Sequence, residues 1–133
     1  MAVDLGSKRV GLALSDPTGK IAQPLATIDA SPQETLADRV AEIAKQHEVK
    51  QIVVGLPRRL DGSFGPEAKA ARAIADEIRK ASGRPVDLAD ERLTTAQAER
   101  SMIEVGVRRA RRKASIDQVA ATLLLQSHLD RKR

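Results

Sequence analysis

Acidic side chains stand at three points of the chain where an element is predicted to end or begin. Asp4 closes a short apolar run, and Asp90 and Glu91 directly follow another. Asp117 lies in the first turn of a predicted helix. Each has an ordinary structural role available, such as starting a turn or complementing the helix dipole. Brought together, carboxylates that hold divalent ions suit phosphodiester hydrolysis, and these residues are therefore candidates for a metal site.

The composition restricts which metal such a site would hold. The chain has no Cys, and its two His are His47 and His128. Thiolate sites, a Cys nucleophile and His-rich zinc sites are therefore excluded as candidates. Oxygen ligands remain, and these favour Mg²⁺ or Mn²⁺.

Alternating and helical periodicities predict an α/β fold that would place these acids. Three strands come first and form an antiparallel meander, with a turn at residues 16–19. A capping box at residues 31–34, with Ser31 as N-cap and Pro32 as the first helical residue, predicts the first helix. The order then continues strand, helix, strand, helix, helix, which predicts a mixed five-stranded sheet with helices on both faces. The predicted strands are Met1–Leu5, Arg9–Ser15, Lys20–Ile28, Gln51–Leu56 and Pro85–Ala89, and the third and fourth helices begin at Thr94 or Thr95 and at Ser115.

Positive charge is concentrated in the last third of the chain. Residues 1–90 carry 13 basic and 13 acidic groups, whereas residues 91–133 carry 10 basic and 5 acidic groups. This distribution favours a phosphate-binding arm over a solvated loop. One Phe, without Trp or Tyr, is too few for base stacking, so contacts to the nucleic-acid backbone are expected. The candidate phosphate contacts are Lys8, Arg9, Arg58, Arg59, Ser63, Arg92, Arg108, Arg109, Arg111, Arg112 and Lys113.

Four motifs, in order along nearly the whole chain, resemble those of the YqgF (RuvX) family. They are residues 4–11 (DLGSKRVG), residues 54–57 with 61–63 (VGLP and DGS), residues 90–94 (DERLT), and Lys113 with residues 117–121 (DQVAA). Ser7 and Val10 depart from the more usual Thr and Ile. Only three residues precede Asp4, so the first strand is short.

The resemblance implies an RNase H-like fold and a metal-dependent endonuclease over residues 1–133 as a single domain. It implies that Asp4, Glu91 and Asp117 are both the catalytic residues and the metal ligands, and so selects Glu91 over Asp90. Members are described as nucleases that mature small-subunit ribosomal RNA or as Holliday-junction resolvases. Precursor ribosomal RNA is the substrate expected here. A four-way DNA junction remains the alternative substrate, and for junction resolution a homodimer is expected.

Two further hypotheses assign the chain to other functional classes. One is a non-catalytic nucleic-acid-binding module that kept the fold. The other is a fragment of a sugar-kinase or actin-like ATPase, which residues 4–6 resemble but which needs two related domains. No apolar run is long enough for a membrane span and no signal-peptide pattern is present, so a cytoplasmic protein is expected.

Overall fold

The computed structural model describes residues 1–6, 8–56, 65–90 and 116–131. These residues form five strands and three helices, which we label in chain order. The strands are β1 (Ala2–Leu5), β2 (Arg9–Ser15), β3 (Ala22–Asp29), β4 (Ile52–Leu56) and β5 (Val86–Asp90), and the helices are α1 (Gln33–Gln46), α2 (Pro66–Ser82) and α3 (Ile116–Arg131). The helix predicted from Thr94 or Thr95 to Gly106 lies outside the described residues.

The strands form one mixed sheet in the order β3-β2-β1-β4-β5. The antiparallel pairs β1–β2 and β2–β3 confirm the predicted meander. Strands β4 and β5 run parallel to β1. In the strand order, β1 is the central strand of the sheet. Within the described ranges, no helix combines the length and apolar character that crossing a bilayer requires.

Two apolar cores cover the two faces of the sheet. On one face, Val3 of β1 packs in a cluster with residues of α1 and α2, among them Leu36 and Ile78. On the other face, Ala2 packs with Ala121 and Leu124 of α3. Successive strand residues point to opposite faces, so β1 alternates between the two cores. Helices on both faces are thereby confirmed.

The start of α1 differs from the prediction. The N-cap is Pro32, in extended conformation and without a side-chain cap, and the helix begins at Gln33. The capping box with Ser31 as N-cap is therefore wrong. The Arg39 guanidinium donates to the carbonyls of Asp29 and Pro32, which holds the backbone before Gln33 out of the helix.

The buried side of α3 also differs from the predicted stripe, which comprised Ile116, Val119, Ala120, Leu123 and Leu124. Between Ala121 and His128 every residue except Leu123 is buried. Of the stripe's members whose side chains are described, only Leu124 is fully buried. Burial around most of the helix obscures the periodicity that a one-sided helix would show.

Removal of a single methylene group tests how tightly the core under α1 and α2 is packed. Ile78 is 0% exposed and lies on the sheet face opposite α3. We expect Ile78→Val to lower the free energy of unfolding by about 0.5–1.5 kcal/mol, because it leaves a small cavity. Urea denaturation followed by circular dichroism measures this change. A variant as stable as the wild type would contradict the tight packing.

The turn between β2 and β3 depends on the ionised Asp16 side chain. The Thr18 hydroxyl donates to one carboxylate oxygen, and the backbone amides of Ile21 and Lys20 donate to the other. These bonds, that of Thr18 first, lower the pKa of Asp16 from 3.8 to about 2. A depressed folded-state pKa contributes stability above about pH 4 that is lost as the pH falls through about 2.

We therefore expect the stability difference between the wild type and Asp16→Ala to shrink as the pH falls from about 4 to 2. Nuclear magnetic resonance of the Ile21 amide should give a titration midpoint near 2. A midpoint at the ordinary Asp value of 3.8 would show that the carboxylate does not hold the turn.

Candidate nuclease site

The carboxyl ends of three parallel strands meet at one edge of the sheet. Val3 of β1 pairs with Val54 of β4, which pairs with Leu88 of β5. Asp4 is the next residue of β1, and Asp90 ends β5 at the same edge. Two of the acidic positions singled out from the sequence are therefore brought to one edge, with Asp4 in the central strand.

Asp4 lies on the face of the sheet that α3 covers. It is two residues from Ala2, which packs against α3, and it is half-buried. Its partner across the β1–β2 ladder is Gly11, and Gly55 follows Val54 in β4. Because neither glycine has a side chain, these two positions put no side-chain atoms beside the Asp4 carboxylate. Sequence reasoning missed these two glycines, although each stands in a motif.

The Asp4 carboxylate has no hydrogen bond or ion pair with any other described residue. A partly buried carboxylate loses hydration, which a nearby cation would offset. The carboxylate oxygens, with only glycines beside them on the two neighbouring strands, fit a hard divalent cation. Among the described residues no group of three His, Cys or acidic side chains could hold a metal ion. Glu91 and the side chain of Asp117 lie outside what is described.

Helix α3 runs in the opposite direction to β1. Near its end, the Gln126 side chain accepts from the backbone amide of Ala22 and donates to the carbonyl of Lys20. Ala22 pairs with Ser15 of β2. Ser15 lies two residues past Ala13, the partner of Ala2, and therefore on the side of the start of β1. The end of α3 therefore lies toward the start of β1, and its first turn lies toward Asp4.

Simple lengths support the approach of the first turn of α3 to Asp4. Ser15 is four strand residues, about 13 Å, from Gly11, which pairs with Asp4. Gln126 is nine helical residues, about 14 Å, from Asp117. Asp117 also precedes Ala121 by one turn, and Ala121 packs on the sheet. These lengths bring the first turn of α3 to the level of Asp4.

The basic candidates are only partly described. Lys8 and Arg9 are exposed and follow β1 at the edge where Asp4 lies, in a turn closed by a 2.9 Å bond from Gly6 N to Arg9 O. The remaining nine lie outside the described residues: Arg58, Arg59, Ser63, Arg92, Arg108, Arg109, Arg111, Arg112 and Lys113.

A family model described as "RuvX: Holliday junction resolvase" matches residues 1–131. The chain belongs to the RuvX family. The resemblance stated from its motifs is thereby confirmed over nearly the full length.

Similar RuvX-family proteins come from several bacteria. The protein of Pelotomaculum thermopropionicum is 50% identical over 131 residues, covering 98% of this chain and 85% of that protein. The protein of Roseiflexus sp. is 44% identical over 133 residues, covering 100% of this chain and 94% of that protein. Both carry the name "Putative pre-16S rRNA nuclease".

Solved structures place this RuvX-family chain in the RNase H-like fold. Thermus thermophilus RuvC in complex with a Holliday junction substrate matches with a TM-score of 0.71 at 17% identity, covering 98% of this chain and 92% of RuvC. A second structure of that RuvC matches with a TM-score of 0.64 at 15% identity, covering 98% and 93%. The expected fold class is confirmed.

Proposed function

We propose that this protein is a divalent-metal-dependent endonuclease that processes the 5′ end of precursor 16S ribosomal RNA. The observation that carries the proposal is the half-buried Asp4 carboxylate at the end of the central strand, level with the first turn of α3. The relatives' name, on proteins that this chain matches almost from end to end, supports the substrate. Ribosome maturation also supports a cytoplasmic location.

Asp4, Glu91 and Asp117 would hold Mg²⁺ or Mn²⁺ in this site. Bound there, divalent ions would supply water activation and charge neutralisation at the leaving oxygen. The chain itself supplies a rigid backbone for Asp4, because β1 pairs with a strand on each side. A backbone held in this way limits how far the Asp4 carboxylate must move when the scissile phosphate arrives, and such preorganisation lowers the barrier.

The choice of Glu91 over Asp90 gains support from the alternation of β5. Ala89 packs in the cluster that α3 covers, whereas Val86 packs against the opposite core. Asp87, which contacts His128 of α3, is two residues from Ala89 and therefore points to the same face of the sheet. Glu91 is the next residue in the sequence at this spacing of two, whereas Asp90 is not, in agreement with the family resemblance.

Basic residues around the edge would hold the substrate by its phosphates. Lys8 and Arg9 stand in the turn after β1, close along the chain to Asp4. The run from Arg108 to Lys113 directly precedes α3 in the sequence. Contacts of this kind recognise backbone and shape, which suits structured RNA or branched DNA.

A side-by-side cleavage assay tests this function. Precursor 16S ribosomal RNA, four-way junction DNA and unstructured strands are incubated with the protein and Mg²⁺ or Mn²⁺, with Asp4→Asn as the control. We expect cleavage of the precursor RNA that depends on the metal and on Asp4. Cleavage of none of the substrates with either metal would overturn the nuclease proposal and favour a non-catalytic binding module.

Junction resolution is the second candidate, because the matching family model carries that description. Symmetric cutting of two strands requires two active sites, so a homodimer is expected in that case. Paired cuts in the junction, together with a solution mass of two chains, would favour this function. ATP binding in the same preparation would instead favour the hypothesis of a sugar-kinase or actin-like ATPase fragment.

A further inference from the structure

Gln126 makes three hydrogen bonds with its side-chain amide inside the protein. Its exposed fraction is 8%. The Oε1 atom accepts from the Ala22 backbone N–H at 2.9 Å, and Nε2 donates to the Lys20 carbonyl at 2.9 Å and to Asp130 Oδ1 at 3.0 Å. Both amide hydrogens and the carbonyl oxygen are therefore engaged. Two of the three bonds join α3 to the backbone of the β2–β3 hairpin.

These two backbone bonds define where α3 lies along the sheet. A shift of the helix by one residue moves each side chain by about 1.5 Å along the axis and about 100° around it. The Gln126 amide would then lose both the Ala22 N–H and the Lys20 carbonyl. Both backbone groups are at least partly buried, so losing these two bonds is costly.

A second contact lies at the same end of the helix, on the other side of the sheet. His128 Nε2 lies 4.0 Å from Asp87 Oδ2 of β5, and Gln51 donates a hydrogen bond to the same oxygen. Strands β3 and β5 are the two edges of the sheet. The end of α3 thus contacts both edges of the sheet, while its first turn lies level with Asp4.

We infer that Gln126 is a positioning residue, which sets the place of α3 on the sheet and thereby brings its first turn, with Asp117, to Asp4. This inference rests on the proposed metal site. A helix transmits an axial shift along its length, because its backbone hydrogen bonds keep it stiff. Loss of the amide would let α3 move so that water can replace the lost bonds to Ala22 and Lys20, and Asp117 would move with it.

The test compares Gln126→Met with Ile78→Val. The Met side chain has a similar length without the amide, and Ile78→Val lowers stability on the opposite face of the sheet. Binding of Mn²⁺ alone is measured from free Mn²⁺ by electron paramagnetic resonance. We expect Gln126→Met to bind Mn²⁺ about 10- to 100-fold more weakly, as loss of supporting contacts does at metal sites. Ile78→Val should bind it as the wild type does.

Nucleic-acid affinity in EDTA separates positioning from general damage. It should stay within about twofold of the wild type in Gln126→Met, because it depends on phosphate contacts. If Gln126→Met does not fold, Gln126→Glu is the second variant. Its carboxylate still accepts from Ala22 and cannot donate to the Lys20 carbonyl, so weaker Mn²⁺ binding is again expected. Mn²⁺ affinity equal to the wild type in a folded variant would overturn the inference.

Amide hydrogen exchange tests the inference independently of any metal. We expect the substitution of Gln126 to lower protection along α3 as far as the amides that donate to the carbonyls of its first turn, as well as in the hairpin. A loss confined to the hairpin and the last turn of α3 would overturn the inference. If the wild type itself binds no Mn²⁺, the proposed metal site fails, whereas hydrogen exchange still decides whether Gln126 controls the first turn.

Discussion

Replacing Asp4 with Asn is expected to abolish metal-dependent cleavage while nucleic-acid binding persists. Asn keeps the shape of the side chain but removes the negative charge that a divalent cation requires. The loss of activity should exceed the roughly 10- to 100-fold cost of removing a supporting contact, because a direct ligand is lost. Binding persists because it depends on Lys and Arg contacts to phosphates. Cleavage is measured at saturating Mg²⁺ or Mn²⁺, and binding is measured in EDTA.

The same result is expected for Glu91→Gln and Asp117→Asn. Asp38→Asn is the matched control, since it removes one negative charge from an exposed position of α1. It should leave cleavage unchanged. Full activity in the three site variants would refute the site, whereas activity lost in Asp90→Asn and kept in Glu91→Gln would move the ligand to Asp90.

The second large effect is expected from the basic run before α3. Replacing Arg108, Arg109, Arg111 and Arg112 with Ala should weaken binding and flatten its dependence on salt. Each lost phosphate contact lowers the slope of log K against log salt by about 0.9 on duplex DNA or about 0.7 on single strands. Four contacts would therefore lower the slope by roughly 3 to 4. Binding titrations between 50 and 200 mM salt, about the range over which such contacts matter, measure it.

A control with the same change of charge separates contact from net charge. Four exposed basic residues lie near the starts of β4 and β5, at the opposite edge of the sheet from Asp4: Lys45, Lys50, Lys80 and Arg84. Their replacement by Ala should alter the salt slope much less. Equal slopes for both quadruple variants would mean that the run before α3 acts only through net charge.

Local patterns predicted most of the secondary structure because they reflect short-range preferences. Alternation predicted β2 within its observed bounds, and the apolar run predicted β4 to within one residue. The start of α1 was not predicted, because Arg39 binds the backbone of Asp29 and Pro32 from the second turn of the helix. The buried side of α3 was not predicted either, because Thr122 and Gln126 are buried polar residues. A search for apolar periodicity overlooks such residues.

The sequence by itself determined the chemistry that is available. The absence of Cys and the presence of only two His leave oxygen ligands, and the motifs mark Asp4, Glu91 and Asp117 as a set that stays a prediction. Only the tertiary structure decided that β1 is central, that glycines flank Asp4 and that α3 begins near it. The physical reason is that α3 meets the sheet through contacts such as the hydrogen bonds between Gln126 and two residues more than 100 positions earlier in the chain. Local periodicity carries no information about such bonds.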